Sequence, residues 1–163
     1  MPVYWGIAGY PISHSLTPRL FSLVGEYLGM TARTVYLEAR GIDEFASLVE
    51  DLEGEVWTSC TAPLKHSPQE RLGVNGPEGV NAINQLRRKD GVWSGTSTDG
   101  VGFVAACRHI GIEPKGCVLR IRGGGSAARA IAAAWSNEGG QIIAEEGRRP
   151  MVCLLYTSDA ADE

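Results

Sequence analysis

The sequence has few of the residues that hold disulfide scaffolds or metal centres together. It contains four cysteines and three histidines in 163 residues, and no two cysteines form a C-x-x-C pair. This pattern argues against a disulfide-stapled secreted fold and against a zinc site. We therefore expect no metal, and free thiols in a reducing cytoplasm.

Positive charge and long apolar runs are also scarce. Fifteen Lys and Arg residues against 19 Asp and Glu residues give a formal charge of −4, so no nucleic-acid partner is predicted. No apolar run approaches the roughly 20 residues of a membrane span, and the first residues lack the basic start and apolar block of a secretion signal. With 44% hydrophobic and 21% charged residues, the composition is typical of a globular protein.

Apolar spacing predicts alternating strands and helices along the first hundred residues. Strands are predicted at 3–8, 34–37 and 56–60, and helices at 17–30 and 43–52. Thr17 is the predicted N-cap of the first helix, because Pro18 follows it and proline suits the first helical position. The strand–helix–strand–helix–strand order is typical of an α/β fold with a mainly parallel sheet.

The rest of the chain predicts a hairpin followed by a second, partial lobe. Strands at 80–86 and 92–95 flank the turn Asp90-Gly91, and a helix at 100–112 leads to a strand–helix–strand unit at 118–121, 126–138 and 141–144. We expect a substrate-binding lobe over 1–100, then over 101–150 a connecting helix and the first unit of a truncated, Rossmann-like dinucleotide-binding lobe. Residues 151–163 are interpreted as a non-native tail, with an apolar strand at 152–156 as the alternative.

A glycine-rich loop lies between the predicted strand and helix of that second lobe. Residues 123–128 match G-x-G-x-x-(G/A), in which glycines let a pyrophosphate approach helix N–H groups. A tight β–α turn is the alternative. After the next strand, Glu145 or Glu146 would favour the free ribose of NAD, whereas Arg148 and Arg149 could receive the 2′-phosphate of NADP.

Polar side chains that could act on a substrate fall at the ends of predicted strands. Lys65 follows the third strand, where parallel sheets bind ligands, and it could donate a proton or stabilise a negative oxygen. A carboxylate such as Asp99 would keep that lysine charged. The plainer interpretations are a surface lysine and a helix cap. Asn84, and the small hydroxyls of Ser15 and Thr17, could bind a polyol or could only support turns.

Five motifs, in order, resemble those of the shikimate dehydrogenase family. Residues 9–18 are similar to G-x-P-I-x-H-S-x-S-P, 59–65 to N-V-T-x-P-x-K, 81–85 to G-A-V-N-T, 95–103 to G-x-N-T-D-G-x-G-F, and 123–130 to G-A-G-G-A-A-R-A. The resemblance covers residues 3 to 145.

The resemblance implies NADP-dependent, reversible reduction of 3-dehydroshikimate to shikimate, a step of aromatic amino-acid (chorismate) biosynthesis. It makes Lys65 and Asp99 the catalytic acid/base pair. Substrate ligands would be Ser15, Thr17, Thr61, Asn84 and the pair itself, and the phosphate loop would be Gly123, Gly124, Gly125, Ser126 and Ala127. The expected protein is a cytoplasmic monomer or homodimer, inactive if the chain is truncated as its short second lobe suggests.

Several positions depart from the family pattern. Ser59 stands for its Asn, Thr17 for its Ser and Gln85 for its Thr, while Arg120 and Arg122 occupy a strand that is usually apolar. Residues 145–147 replace the Asn-Arg-Thr clamp for the adenosine phosphate, so NAD remains an alternative cofactor. Two other functions stay open: an NAD-using quinate/shikimate dehydrogenase, and a non-catalytic fragment that binds shikimate.

Overall fold

A computed structural model describes residues 1–66 and 68–151, and they form an α/β fold, as predicted. The strands are β1 Tyr4–Gly9, β2 Arg33–Glu38, β3 Val56–Cys60, β4 Gln85–Lys89, β5 Val92–Thr96, β6 Val118–Arg122 and β7 Gln141–Glu145. The helices are α1 Thr17–Leu28, α2 Ile42–Glu50, α3 Pro68–Leu72, α4 Asp99–His109 and α5 Ser126–Asn137, with a 3₁₀ turn at Leu64–His66. The predicted tail lies outside the described residues, apart from Met151.

Contacts divide the chain into two units. One unit comprises Met1–Gly76 and Ala82–Thr96, and the other comprises Pro77–Asn81 and the chain from Ser97 onwards. The main division thus falls at Ser97, a few residues before the position expected from the sequence. The short segment Pro77–Asn81 joins the second unit, which the sequence did not indicate.

The first unit is built on a five-stranded sheet in the order β2-β1-β3-β4-β5. β1 pairs in parallel with β2 and β3, and the β4–β5 hairpin then adds two antiparallel pairs. The chain steps from β1 to β2 in one direction and returns past β1 to β3. Because right-handed crossovers place these two connections on opposite faces, α1 and α2 cover different sides of the sheet.

Side chains alternate between these two faces along β1. Trp5 stacks on Phe21 of α1, with ring centroids 5.9 Å apart. Ala8 packs on the other face with Leu37 and Cys60, its partners in register, and with Phe45 of α2. Phe45 is fully buried, and burying such a ring contributes roughly 1.5–3 kcal/mol.

The second unit contains the predicted strand–helix–strand arrangement. β6 and β7 pair in parallel through the crossover helix α5. α4 packs against α5, where Phe103 and Trp135 meet at 6.0 Å between ring centroids. Trp135 is only 2% exposed, so this helix pair supplies much of the apolar interior of the unit.

Three local predictions are wrong. Thr17 is not the N-cap: Leu16 holds that position, and the Ser15 hydroxyl accepts the Thr17 amide at 3.2 Å. The helix ends at Leu28 because Gly29 turns left-handed, so that the amides of Gly29 and Met30 close the last turn. The strand expected from residue 80 begins at Gln85.

The short helical segments between Leu64 and Leu72 were not predicted. None of the helices within 1–66 and 68–151 has the length and apolar character needed to cross a bilayer. Over the same ranges, no three His, Cys, Asp or Glu side chains are grouped closely enough to hold a metal ion.

Candidate active site

The carboxyl ends of β1 and β3 meet at a switch point, since the chain leaves these neighbouring strands in opposite directions. Open α/β sheets bind ligands at such points. Two backbone hydrogen bonds join the loops that follow: Thr61 N–H donates to Ala8 O at 2.9 Å, and Tyr10 N–H donates to Ala62 O at 2.9 Å. The two loops that carry the predicted substrate residues are thus held side by side.

Gly9 allows this close approach. Its φ of +141° is a conformation that side chains rarely adopt, and an added Cβ would lie 2.5 Å from Thr61 Cγ2 and 2.7 Å from Ala62 O. Any other residue here would push the β1 and β3 loops apart.

Ser15 lies on the β1 loop and Thr17 is the first residue of α1, and both are half-buried. Ser15 N–H donates to Ile12 O at 2.9 Å, and its hydroxyl accepts the Thr17 amide. The Ser15 hydroxyl still has a proton to donate. Ser15 therefore shapes the start of α1 and keeps a donor for a ligand.

Lys65 lies in the 3₁₀ turn after β3, half-buried, and its carbonyl accepts the Ile83 amide at 2.8 Å. Burial raises the pKa of the neighbouring Cys60 thiol to about 12, although the positive charge of Lys65 opposes that shift. Cys60 therefore stays protonated and is a poor nucleophile.

Asn84 is 8% exposed, and its backbone is hydrogen-bonded to two neighbouring segments at the same edge of the sheet. Its carbonyl accepts the Cys60 amide at 2.7 Å, and its amide donates to Thr96 O at 3.0 Å. Backbone hydrogen bonds thus connect the segments that hold Thr61, Lys65 and Asn84. Asp99, the first residue of α4, belongs to the second unit, so its pairing with Lys65 stays a prediction.

The glycine-rich loop borders a cleft of about 810 Å³ in the second unit. Arg122, residues 123–125 and residues 146–149 line it. Gly125 precedes α5 in an extended conformation, and no side chain within the described ranges caps this helix. The first amides of α5 therefore remain available to an anion.

Two observations show that this loop fits the phosphates of a dinucleotide. Gly123 has a φ of +88°, which favours glycine, and a Cβ added at Gly123 or Gly125 would meet open space. Arg129 also fixes the loop from behind, since its Nη1 donates to Gly124 O at 2.9 Å and its Nε to Val80 O at 3.0 Å. Sequence reasoning missed Arg129, although it stands in the G-A-G-G-A-A-R-A motif.

Comparisons with known proteins agree with these features. No family model matches the chain. The shikimate dehydrogenase (NADP(+)) of Xanthomonas campestris pv. campestris strain B100 is 32% identical over 99% of this chain, and that of Xylella fastidiosa strain M12 is 34% identical over 99%. The chain spans 56% of the length of each.

Solved structures give the same result. Shikimate 5-dehydrogenase of Thermus thermophilus in complex with shikimate matches 88% of this chain, with a TM-score of 0.75 and 27% identity. The same enzyme with NADP(H) and shikimate matches 90%, with a TM-score of 0.75 and 25% identity. In each case 56% of the solved chain is covered.

The fold and the glycine loop define an α/β protein with a Rossmann-like nucleotide-binding unit. Within that class, the chain is related to the shikimate dehydrogenases. The resemblance carried by its five motifs is thereby confirmed.

Proposed function

We propose that this chain carries the substrate site and the first cofactor-binding unit of an NADP-dependent shikimate dehydrogenase. The observation that carries the proposal is the switch point of the first unit, where backbone hydrogen bonds join the segment after β3, with Thr61 and Lys65, to Asn84, which directly precedes β4. The relation to dehydrogenases crystallised with shikimate and NADP(H) supports the choice of ligands. The enzyme would be cytoplasmic, a monomer or homodimer, and would serve aromatic amino-acid biosynthesis.

In this proposal, Lys65 stabilises the negative charge that develops on the substrate oxygen. NADPH, when bound, supplies a hydride to the keto carbon of 3-dehydroshikimate. The carbonyl oxygen then becomes an alkoxide, which the Lys65 ammonium stabilises and protonates. In the oxidative direction, neutral Lys65 would accept the hydroxyl proton. The family resemblance makes Asp99 the acid/base partner of Lys65.

Neutral groups would orient the substrate ring. Ser15, Thr17, Thr61 and Asn84 offer hydroxyl and amide groups to a carboxylated cyclic polyol. Because Asn84 is buried and its backbone is engaged on both sides, its side chain is held on a rigid support. Such support favours orientation of the reacting carbon.

Two alternatives each rest on one observation. Glu146 lines the nucleotide cleft, which favours an NAD-using quinate/shikimate dehydrogenase. The described part of the second unit holds one strand–helix–strand arrangement, β6–α5–β7, which favours a protein that binds shikimate without turnover.

The test is to measure shikimate binding by calorimetry and shikimate-dependent reduction of NADP or NAD by absorbance. Lys65→Ala should lower turnover by about 10²-fold or more, with a smaller effect on shikimate affinity, because it removes a proton donor. Lys89→Ala is the matched control, since Lys89 is exposed at the tip of the β4–β5 hairpin in the same unit.

Each outcome separates the candidates. Turnover with NADP that is lost in Lys65→Ala supports the proposal, and turnover with NAD alone supports the first alternative. Shikimate binding without turnover supports the second alternative. Equal rates for Lys65→Ala and Lys89→Ala would remove Lys65 from the mechanism.

A further inference from the structure

Strand β6 carries two arginines, Arg120 and Arg122, where the family resemblance has apolar residues. Both are exposed and lie on the same face of the β6–β7 pair. Their surroundings differ: Arg122 lines the nucleotide cleft, whereas Arg120 does not. The two arginines therefore have different uses.

Arg120 restrains the acid that would otherwise favour NAD. Its Nη1 lies 3.5 Å from Oε1 of Glu145, the last residue of β7. An acid at the end of this strand binds the ribose hydroxyls of NAD in many dinucleotide-binding proteins. Here Glu145 pairs with Arg120 and is absent from the cleft lining, so it is not presented to a ribose.

A hydrogen bond holds Arg122 in place and uses only part of its guanidinium group. Its Nε donates to the Glu146 carbonyl at 3.2 Å, which links the end of β6 to the loop after β7. Among residues 1–66 and 68–151, no carboxylate forms an ion pair with Arg122, Arg148 or Arg149. The two Nη groups of Arg122 are thus free of an acidic partner there.

The charge of the cleft is opposite to that of the chain. Three arginines and one glutamate line it, in a chain whose formal charge is −4. A guanidinium fork matches the oxygens of a phosphate and binds it with strong, charge-assisted hydrogen bonds. This cleft therefore favours a ligand with more phosphate than a pyrophosphate alone.

We propose that Arg122 is the residue that selects NADP over NAD in this chain, by binding the adenosine 2′-phosphate, with Arg148 as its second cation. The inference rests on the proposed function, because it takes the cleft to be the dinucleotide site. Arg122 then binds the phosphate that the Asn-Arg-Thr clamp binds in the family, whose place residues 145–147 take in this chain. The hydrogen bond to Glu146 sets the plane of the guanidinium, which lowers the entropy lost on binding.

The experiment measures two probes by calorimetry on the 163-residue chain: adenosine 2′,5′-bisphosphate and 5′-AMP. The wild-type chain should prefer the bisphosphate. Arg122→Ala should reduce that preference by about tenfold or more, as expected for a charge-assisted bond. Its affinity for 5′-AMP should stay within about twofold, because 5′-AMP lacks the 2′-phosphate. Arg122→Lys should fall between the two, since it keeps the charge and loses the fork.

Lys115→Ala is the matched control. It removes one positive charge from the same unit, at an exposed residue that lies outside the cleft lining and just before β6. It should leave the preference unchanged.

The outcomes distinguish the selectivity inference from the site on which it rests. If Lys115→Ala reduces the preference as much as Arg122→Ala, general charge is responsible and the inference is overturned. An unchanged preference in Arg122→Ala overturns the inference and leaves the nucleotide site standing. Loss of both probes in Arg122→Ala assigns the residue to loop structure instead. If the wild-type chain binds neither probe, both the dinucleotide site and the inference are refuted.

Discussion

Replacing Gly9 by alanine tests the contact that holds the β1 and β3 loops together. At φ +141° an alanine is strained, which costs about 1–3 kcal/mol. Its Cβ would also overlap Thr61 and Ala62, so the loops must separate and weaken the two hydrogen bonds between them, each contributing about 1 kcal/mol. We therefore expect Gly9→Ala to lower the free energy of unfolding by about 2–5 kcal/mol and to weaken shikimate binding.

Gly29→Ala is the matched control for backbone strain. Gly29 also has a positive φ, +64°, but nothing lies within 4 Å of an added Cβ. Its cost should be only about 1–2 kcal/mol, the ordinary penalty for a left-handed residue, with shikimate affinity unchanged. Urea denaturation and calorimetry measure both quantities. Equal destabilisation by the two variants, with equal shikimate affinity, would refute the argument that the loops need a glycine to approach.

The remaining predictions concern the core and the acid range of stability. Phe45→Ala should lower the free energy of unfolding by about 3–5 kcal/mol, because it empties a fully buried site. Leu48→Ala is the control, and it should cost much less because Leu48 is 40% exposed on the same helix. Equal losses of stability in the two variants would contradict the assigned core. Hydrogen bonds from Arg87 and Trp57 lower the pKa of Glu55 from 4.5 to about 2. A lowered pKa in the folded state means that Glu55 stabilises the fold above pH 4.5 and that this contribution is lost as the pH falls towards about 2. Glu55→Gln should therefore flatten the pH dependence of stability in that window, measured by denaturation at several pH values, and an unchanged slope would count against the Arg87 contact.

Elements with strong apolar patterns could be predicted closely from the sequence. β3 has the predicted bounds, 56–60, because its burial requires a run of apolar and β-branched residues. The Leu64–His66 turn was missed, since three residues make a single turn and show no period. β4 begins later than predicted: Asn81 has a φ of +50°, which interrupts an extended strand.

The candidate site was only partly predictable for a related reason. Motif order pointed to Lys65 and the glycine loop, which follow β3 and β6, and to Asn84, which directly precedes β4. The Ser15 hydroxyl accepts the amide of Thr17, and the local backbone path decides this contact, so a cap was assigned to Thr17 instead. The bond from Arg129 Nε to Val80 O joins residues 49 positions apart. No single segment of sequence contains that information, so the anchor of the phosphate loop was overlooked.

Two departures from the family pattern can be explained together. Ser59 replaces an asparagine and Gln85 replaces a threonine, and the structure places these residues opposite each other on β3 and β4. Gln85 Nε2 donates to the Ser59 hydroxyl at 2.9 Å. The pair therefore still contains one amide and one hydroxyl, with the amide moved to the neighbouring strand. Because the adjacent Cys60 amide donates to Asn84 O, the backbone positions the substrate loops independently of this exchange. The changed motif is thus compatible with an unchanged site.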